Sequence, residues 1–165
     1  MDRAALEAAR AVAFRFLGFS ARSRAEIERR LARDEYAPEV IAAVIAELEA
    51  QNYLNDSQFA QDWVEDRADR KRYGRGRLAA ELRRKGVDKE TVTDALESVD
   101  DEAELRRALA AARPKWPAIP PEEWDREVLQ AEKRKLSGFL QRRGFSWPII
   151  KKVFAELMEN EEELS

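Results

Sequence analysis

Cysteine and histidine are both absent from the 165 residues. Without them there is no disulfide framework, no thiolate and no common zinc site, and no Ser-His or Cys-His nucleophile can be assembled. Glycine and proline are scarce, six of each, and Pro114, Pro117, Pro120 and Pro121 crowd into residues 113–123. The rest of the chain is therefore almost free of helix breakers. Long hydrophobic runs are missing too. The first twenty residues interrupt their apolar pattern with Asp2, Arg3, Glu7, Arg10 and Arg15, which excludes a signal peptide or spanning helix there; a cytoplasmic protein with no membrane partner is expected. Acidic residues are spread along the chain without a local constellation, so no carboxylate pair for hydrolysis stands out. The expectation is a protein that is not an enzyme and carries no cofactor or metal.

What is present is charge and apolar bulk: 38% Asp, Glu, Lys and Arg beside 44% hydrophobic residues, with a net charge of −3. That apolar share is too high for disorder, and the composition suits helices. The apolar residues also repeat. Leu78, Leu82, Gly86, Val87, Val92, Ala95, Leu96 and Val99 recur 58 positions later, without a gap, as Leu136, Leu140, Gly144, Phe145, Ile150, Val153, Phe154 and Leu157. The same template lies 51 positions earlier on Ile27, Leu31, Glu35, Tyr36, Ile41, Val44, Ile45 and Leu48, where only the glycine departs.

Two apolar residues four apart, a turn, then apolar residues at i, i+3, i+4 and i+7 describe two amphipathic helices. Ser23 with Glu26 reads as a capping box, Asp88 and Ser146 as caps, and Pro38 as a first helical residue after the uncapped Ala37. Gly86 and Gly144 suit a left-handed residue closing a helix. A further helix precedes each pair, over 4–19, 57–70 and 102–112. The predicted fold is all-α: three tandem three-helix repeats in an elongated, curved array. The repeats span 1–55, 56–99 and 100–160, the third holding the proline-rich loop 113–123, with an acidic tail at 161–165. Trp116 and Trp124 flank the loop prolines and are expected to pin the loop to a helix.

Three segments carry a family resemblance: Tyr53-Leu54-Asn55-Asp56-Ser57-Gln58-Phe59-Ala60; Tyr73-Gly74-Arg75-Gly76-Arg77-Leu78 continuing to Glu81-Leu82-Arg83-Arg84-Lys85-Gly86-Val87; and Phe139-Leu140-Gln141-Arg142-Arg143-Gly144-Phe145-Ser146. Their order and spacing resemble the RecX family from about Ala4 to Leu157. Two features depart from it: the acidic pair is Asn55-Asp56, and the proline-rich loop is not a family hallmark. The resemblance implies tandem three-helix modules, a RecA filament as partner, and a regulator that inhibits the recombinase's ATPase, strand-exchange and co-protease activities in DNA repair and the SOS response. Residue patterns alone would not have named RecA. A monomer is expected.

The most basic stretch supplies the candidate contact residues: Arg70, Lys71, Arg72, Arg75, Arg77, Arg83, Arg84 and Lys85, with Arg142 and Arg143 at the equivalent place in the third repeat. The first repeat has Ala32, Arg33 and Asp34 there and reads as less basic. Such cations suit phosphates of filament-bound DNA or an acidic protein wall, and equally a solvated helix surface. Tyr73-Gly74-Arg75-Gly76 lacks the remaining elements of a phosphate loop; its glycines are expected to permit a bend on which the arginines stand exposed. A sequence reader of the helix-turn-helix type fits poorly, since the last helices of repeats one and two carry Glu39, Glu47, Glu49, Glu90, Asp94 and Glu97, and only the third carries Lys151 and Lys152. The alternatives are a DNA-binding or architectural protein acting without a recombinase, and a helical scaffold for another protein.

Overall fold

A computed structural model describes the backbone of residues 1–118 and 121–162 and the side chains of 1–118 and 122–159. Pro120 of the loop and Glu163 of the tail lie outside the described residues. Regular structure among the described residues is entirely helical. The first module is α1 (Arg3–Phe19), α2 (Arg24–Arg33) and α3 (Pro38–Ala50). The second is α4 (Asp56–Lys71), α5 (Arg75–Arg84) and α6 (Lys89–Glu97), and the third α7 (Asp101–Ala112), α8 (Arg126–Arg142) and α9 (Trp147–Glu162). The acidic tail is thus helical as far as Glu162.

The helix ends follow the local chemistry. Ser23 and Glu26 form the reciprocal capping box, Asp88 accepts from the Thr91 N–H at 2.9 Å, and Pro38 opens α3 with no side-chain cap at Ala37. Gly86 and Gly144 have φ of 80° and 90°, and Glu35, at the departing position of the first repeat, adopts φ 64° as well. Each of the three closes its helix by the same pair of hydrogen bonds. In the first module these run from Tyr36 N–H to the Leu31 carbonyl (3.2 Å) and from Glu35 N–H to the Ala32 carbonyl (3.0 Å).

The chain forms two compact units, Met1–Trp63 with Glu81–Ala95, and Val64–Ala80 with the residues from Leu96 onward. The middle module contributes to both. In the first unit α1 packs on α2 and α3 over a core of Ala9, Ala13, Ile27, Leu31, Val40, Val44, Ile45, Leu48 and Leu54. Burying each leucine or isoleucine contributes roughly 1.5–3 kcal/mol. Ala9 and Ala13, four apart and fully buried, face the core from α1, whereas Phe14 is partly exposed and meets Tyr53 edge-on at 5.0 Å. The first unit also seats the start of α2 on the turn after α5. The buried Ser23 hydroxyl donates to the Lys85 carbonyl at 2.5 Å, and a Cβ on Gly86 would collide with the Ala25 Cβ.

In the second unit α7 packs on α8 and α9 around Ala108, Leu109, Ala112, Leu136, Leu140, Phe145, Ile150, Val153 and Leu157. Trp116 packs against that core, 5.3 Å from Trp124 and 6.0 Å from Phe154 of α9. The tryptophans therefore tie the proline-rich segment down, and the segment contains two 3-10 turns, Arg113–Lys115 and Pro121–Glu123. Here the start of α5 is seated on the turn after α8. Gly74 N–H donates to the Arg143 carbonyl at 2.8 Å and Gly76 N–H to the Gly144 carbonyl at 3.0 Å. A Cβ on Gly74 would lie 2.5 Å from the Gly144 oxygen. The expected bend does separate α4 from α5 over residues 72–74, and Gly74 serves it by close backbone approach, since among described glycines only Gly86 and Gly144 take positive φ. Ser23 and Gly74 share one repeat position, as do Gly86 and Gly144, so the same joint is built once in each unit.

Candidate partner interface

Seven of the ten candidate cations lie in the second unit, several of them around Tyr73. The Arg77 guanidinium stacks 4.3 Å from the Tyr73 ring centre and donates to the Arg142 carbonyl at 3.4 Å. Arg143 donates to the Lys71 carbonyl at 2.5 Å and lies 5.0 Å from the Phe139 ring. Arg72, itself at φ 54°, donates to the Ala110 carbonyl at 2.9 Å, and Arg70 pairs with Asp66 at 2.9 Å one helical turn away. The guanidiniums of Arg72, Arg77 and Arg143 close orphan carbonyls at helix ends, where cations are also favoured by the helix dipole. Lys71 and Arg142 are exposed and have no ion-pair partner among the described residues.

Arg75 does not stand exposed on a bend, contrary to the expectation. It contacts Asp101 at 2.7 Å, lies 2.7 Å from a Glu104 oxygen at an angle that is not a hydrogen bond, and donates to the Val99 carbonyl. Glu104 is only 1% exposed. A buried carboxylate requires a counter-charge, so Arg75 is committed to the fold. The Arg75 hydrogen bond and charge hold the Asp101 carboxyl below its ordinary range. Nearby Arg107 is largely buried, 3.7 Å from Asp69, and desolvation lowers its guanidinium's proton affinity.

Arg83, Arg84 and Lys85 belong to the first unit. Lys85 is half-buried, 3.4 Å from Glu26 and 4.9 Å above the Trp63 ring. Arg83 and Arg84 are exposed, without an ion-pair partner among the described residues. Structure adds two residues of α2 that the charge pattern of the sequence does not single out. Arg29 donates to the Arg84 carbonyl at 3.0 Å, and Arg33 is exposed with no ion pair among the described residues. The neighbouring Asp34 makes this segment look neutral, yet Asp34 pairs with Arg30 at 3.0 Å and leaves Arg33 free. Arg33, Arg84 and Arg142 occupy one repeat position, so each module ends its second helix on an arginine with no ion-pair partner among the described residues. Among the described residues no group of carboxylates could hold a metal, and no helix is long and apolar enough to cross a membrane.

Three family models match in order: the first three-helix domain of RecX over residues 9–48, the second over 55–96 and the third over 102–154. The chain is also 38% identical to the protein named Regulatory protein RecX of Mycolicibacterium vanbaalenii, across 95% of this chain and 86% of that protein. The chain belongs to the RecX family. A second relative of the same name, from Mycobacterium avium, is 38% identical over 94% of this chain and 88% of its own length. A crystal structure of RecX from Lactobacillus salivarius shares the fold with a TM-score of 0.81 at 22% identity, covering 93% of this chain and 96% of that one. The three tandem three-helix repeats are thus those of RecX, and the chain is a member of a family of regulatory proteins rather than enzymes.

Proposed function

We propose that this chain acts in the cytoplasm by binding the RecA recombinase filament and restraining its ATPase, strand-exchange and co-protease activities, in DNA repair and the SOS response. The observation that carries the reading is the match of all three modules to RecX domains, with 38% identity over 95% of the chain to a protein named Regulatory protein RecX. The exposed Lys71, Arg83, Arg84 and Arg142 support it, because unpaired cations suit either the DNA of a filament or acidic walls between its subunits. Arg70, Arg72, Arg77, Lys85 and Arg143 are partly committed to the fold, and Arg75 serves the fold alone. Several modules, each of modest affinity, act together because a tethered module rebinds at high effective concentration.

The test is RecA ATP hydrolysis and strand exchange on single-stranded DNA with increasing purified protein. Both rates fall under this reading; rates that stay level at every concentration sink it. The same exposed cations favour a second reading, a DNA binder that acts without a recombinase. Tight, salt-sensitive binding to bare DNA with no effect on RecA distinguishes it.

A further inference from the structure

The joint that repeats along the chain has two unlike halves. One is a seat, the turn that closes a module's second helix, and the other is a helix start that settles on it. The second module's turn at Gly86 seats the start of α2, and the third module's turn at Gly144 seats the start of α5. At both turns a side chain has no room. A Cβ on Gly86 would lie 2.2 Å from the Ala25 Cβ, and one on Gly144 would lie 2.2 Å from the Arg77 backbone nitrogen. Because each module seats the one before it, two halves have no counterpart within the chain: the turn after α2 in the first module, and the second helix, α8, of the third.

Each of these is shut by its own residues. The turn after α2 has the same left-handed conformation and the same closing hydrogen bonds as the other two, and it is exposed, but it carries Glu35 at the glycine position, with φ 64°. Its Cβ occupies the space that a helix start takes up at Gly86 and Gly144, and backbone can approach that closely only where a Cβ is missing. At the other end, the positions that match Ser23 and Gly74, and Ala25 and Gly76, are Glu132 and Arg134. Helices α2 and α5 begin directly after Ser23 and Gly74, whereas α8 has already begun at Arg126 and runs through Glu132. An N–H inside a helix is bonded to the carbonyl four residues back, so Glu132 has none to offer a seat. A contact between unlike halves does not close on itself, and with both halves open, copies of the chain would add head to tail without limit. The outer modules of a repeat protein must differ from the inner ones on this account. We infer that Glu35 and the early start of α8 are stops, which end the series at three modules and bar a second copy of the chain from joining through either half. They act on assembly alone, whichever partner the chain binds.

The test supplies the full chain with one more helix start. A second copy of residues 56–99 is fused directly before Asp2, so that Val99 is followed by the aspartate cap of α1 just as, in the chain itself, it is followed by Asp100, the cap of α7. The added α5 then precedes the turn at Glu35 as α2 and α5 precede the turns that seat them. Limited trypsin digestion followed by intact mass reports whether the added module docks, since cleavage tracks the population that is open. With Glu35 in place the added module is trimmed away, leaving the native chain. In the Glu35→Gly fusion it survives at least about tenfold longer, relative to the loss of the native part in the same digest. Glu35→Ala keeps the Cβ, and its fusion is expected to be trimmed as fast as the parent. Equal lifetimes of the added module in the parent and Glu35→Gly fusions, or a Glu35→Ala fusion that survives as the Glu35→Gly one does, overturn the stop at Glu35. Without the fusion, Glu35→Gly is expected to sediment as the wild type does, because α8 still offers no helix start; self-association that appears only in this variant overturns the stop at α8.

Discussion

At the scale of single residues, Glu35 fills the left-handed position that Gly86 and Gly144 fill in the other modules. A residue with a Cβ is strained there by roughly 1–2 kcal/mol, part of which a glycine would return through its larger unfolded-state entropy. Glu35→Gly is expected to raise stability by about 0.5–1 kcal/mol in urea unfolding; a lower midpoint would contradict the strain argument. Asp56 makes a pH-dependent case. Burial raises its carboxyl above the ordinary range, outweighing the Arg24 N–H that donates to it at 2.8 Å. A raised folded-state pKa means the folded chain holds the proton more tightly. That gain is complete below the unfolded pKa and lost as pH rises through the folded value, so ionised Asp56 opposes the fold at neutral pH. Asp56→Asn keeps an acceptor for Arg24 and should therefore melt higher than the wild type near pH 7, with the difference vanishing below about pH 3. A difference that persists in acid would assign the effect to something other than ionisation.

Among the elements, the repeated joint matters most. The start of α2 sits on the turn after α5, and the start of α5 on the turn after α8, so each joint sets a helix start against a left-handed glycine. Arg75 adds the charge clamp at α5, with Glu104 of α7 buried behind it. Removing one partner of such a pair leaves a desolvated charge, and Arg75→Ala is expected to cost about 3–5 kcal/mol. Urea unfolding measures this; a loss below about 1 kcal/mol, the value of a solvated surface pair, would show the clamp to be superficial. The helices, the caps at Ser23 and Asp88 and the left-handed turns at Gly86 and Gly144 were legible in the sequence, because periodicity and capping are local; the caps at Asp2, Asp100 and Asp125 were equally local but were not read there. What α1 buries was legible only in part: Leu6, Val12 and Leu17 do pack against the core and Phe14 does not, yet Ala9 and Ala13 are the fully buried pair, chosen by close helix packing.

For the whole molecule, cations without an ion-pair partner among the described residues occur in every module, at Arg33, Lys71, Arg83, Arg84 and Arg142. Wherever one of them meets a phosphate, counterions are released. Neutralising Lys71 and Arg142 should weaken DNA-dependent binding about equally for all sequences and reduce the slope against log salt by about one for each phosphate no longer neutralised. An unaltered slope would place both side chains away from DNA. Charge runs in the sequence identified a basic region but not its free members. Arg75 and Arg143, which look as available as Arg83, turn inward to carbonyls and a buried carboxylate, while Arg33, in the repeat that reads as less basic, has no ion-pair partner among the described residues.

The sequence by itself determined the threefold helical pattern, the caps and turns, the lack of thiol and imidazole chemistry, and the family. Each of these depends on residue type and spacing along one chain. Tertiary structure alone decided which arginines are spent on the fold, why Gly74 has no room for a side chain, and that Arg29 adjoins Glu81 and Arg84. Those outcomes depend on backbones and charges brought together from segments distant in the chain, where burial turns a carbonyl or carboxylate into an obligatory partner.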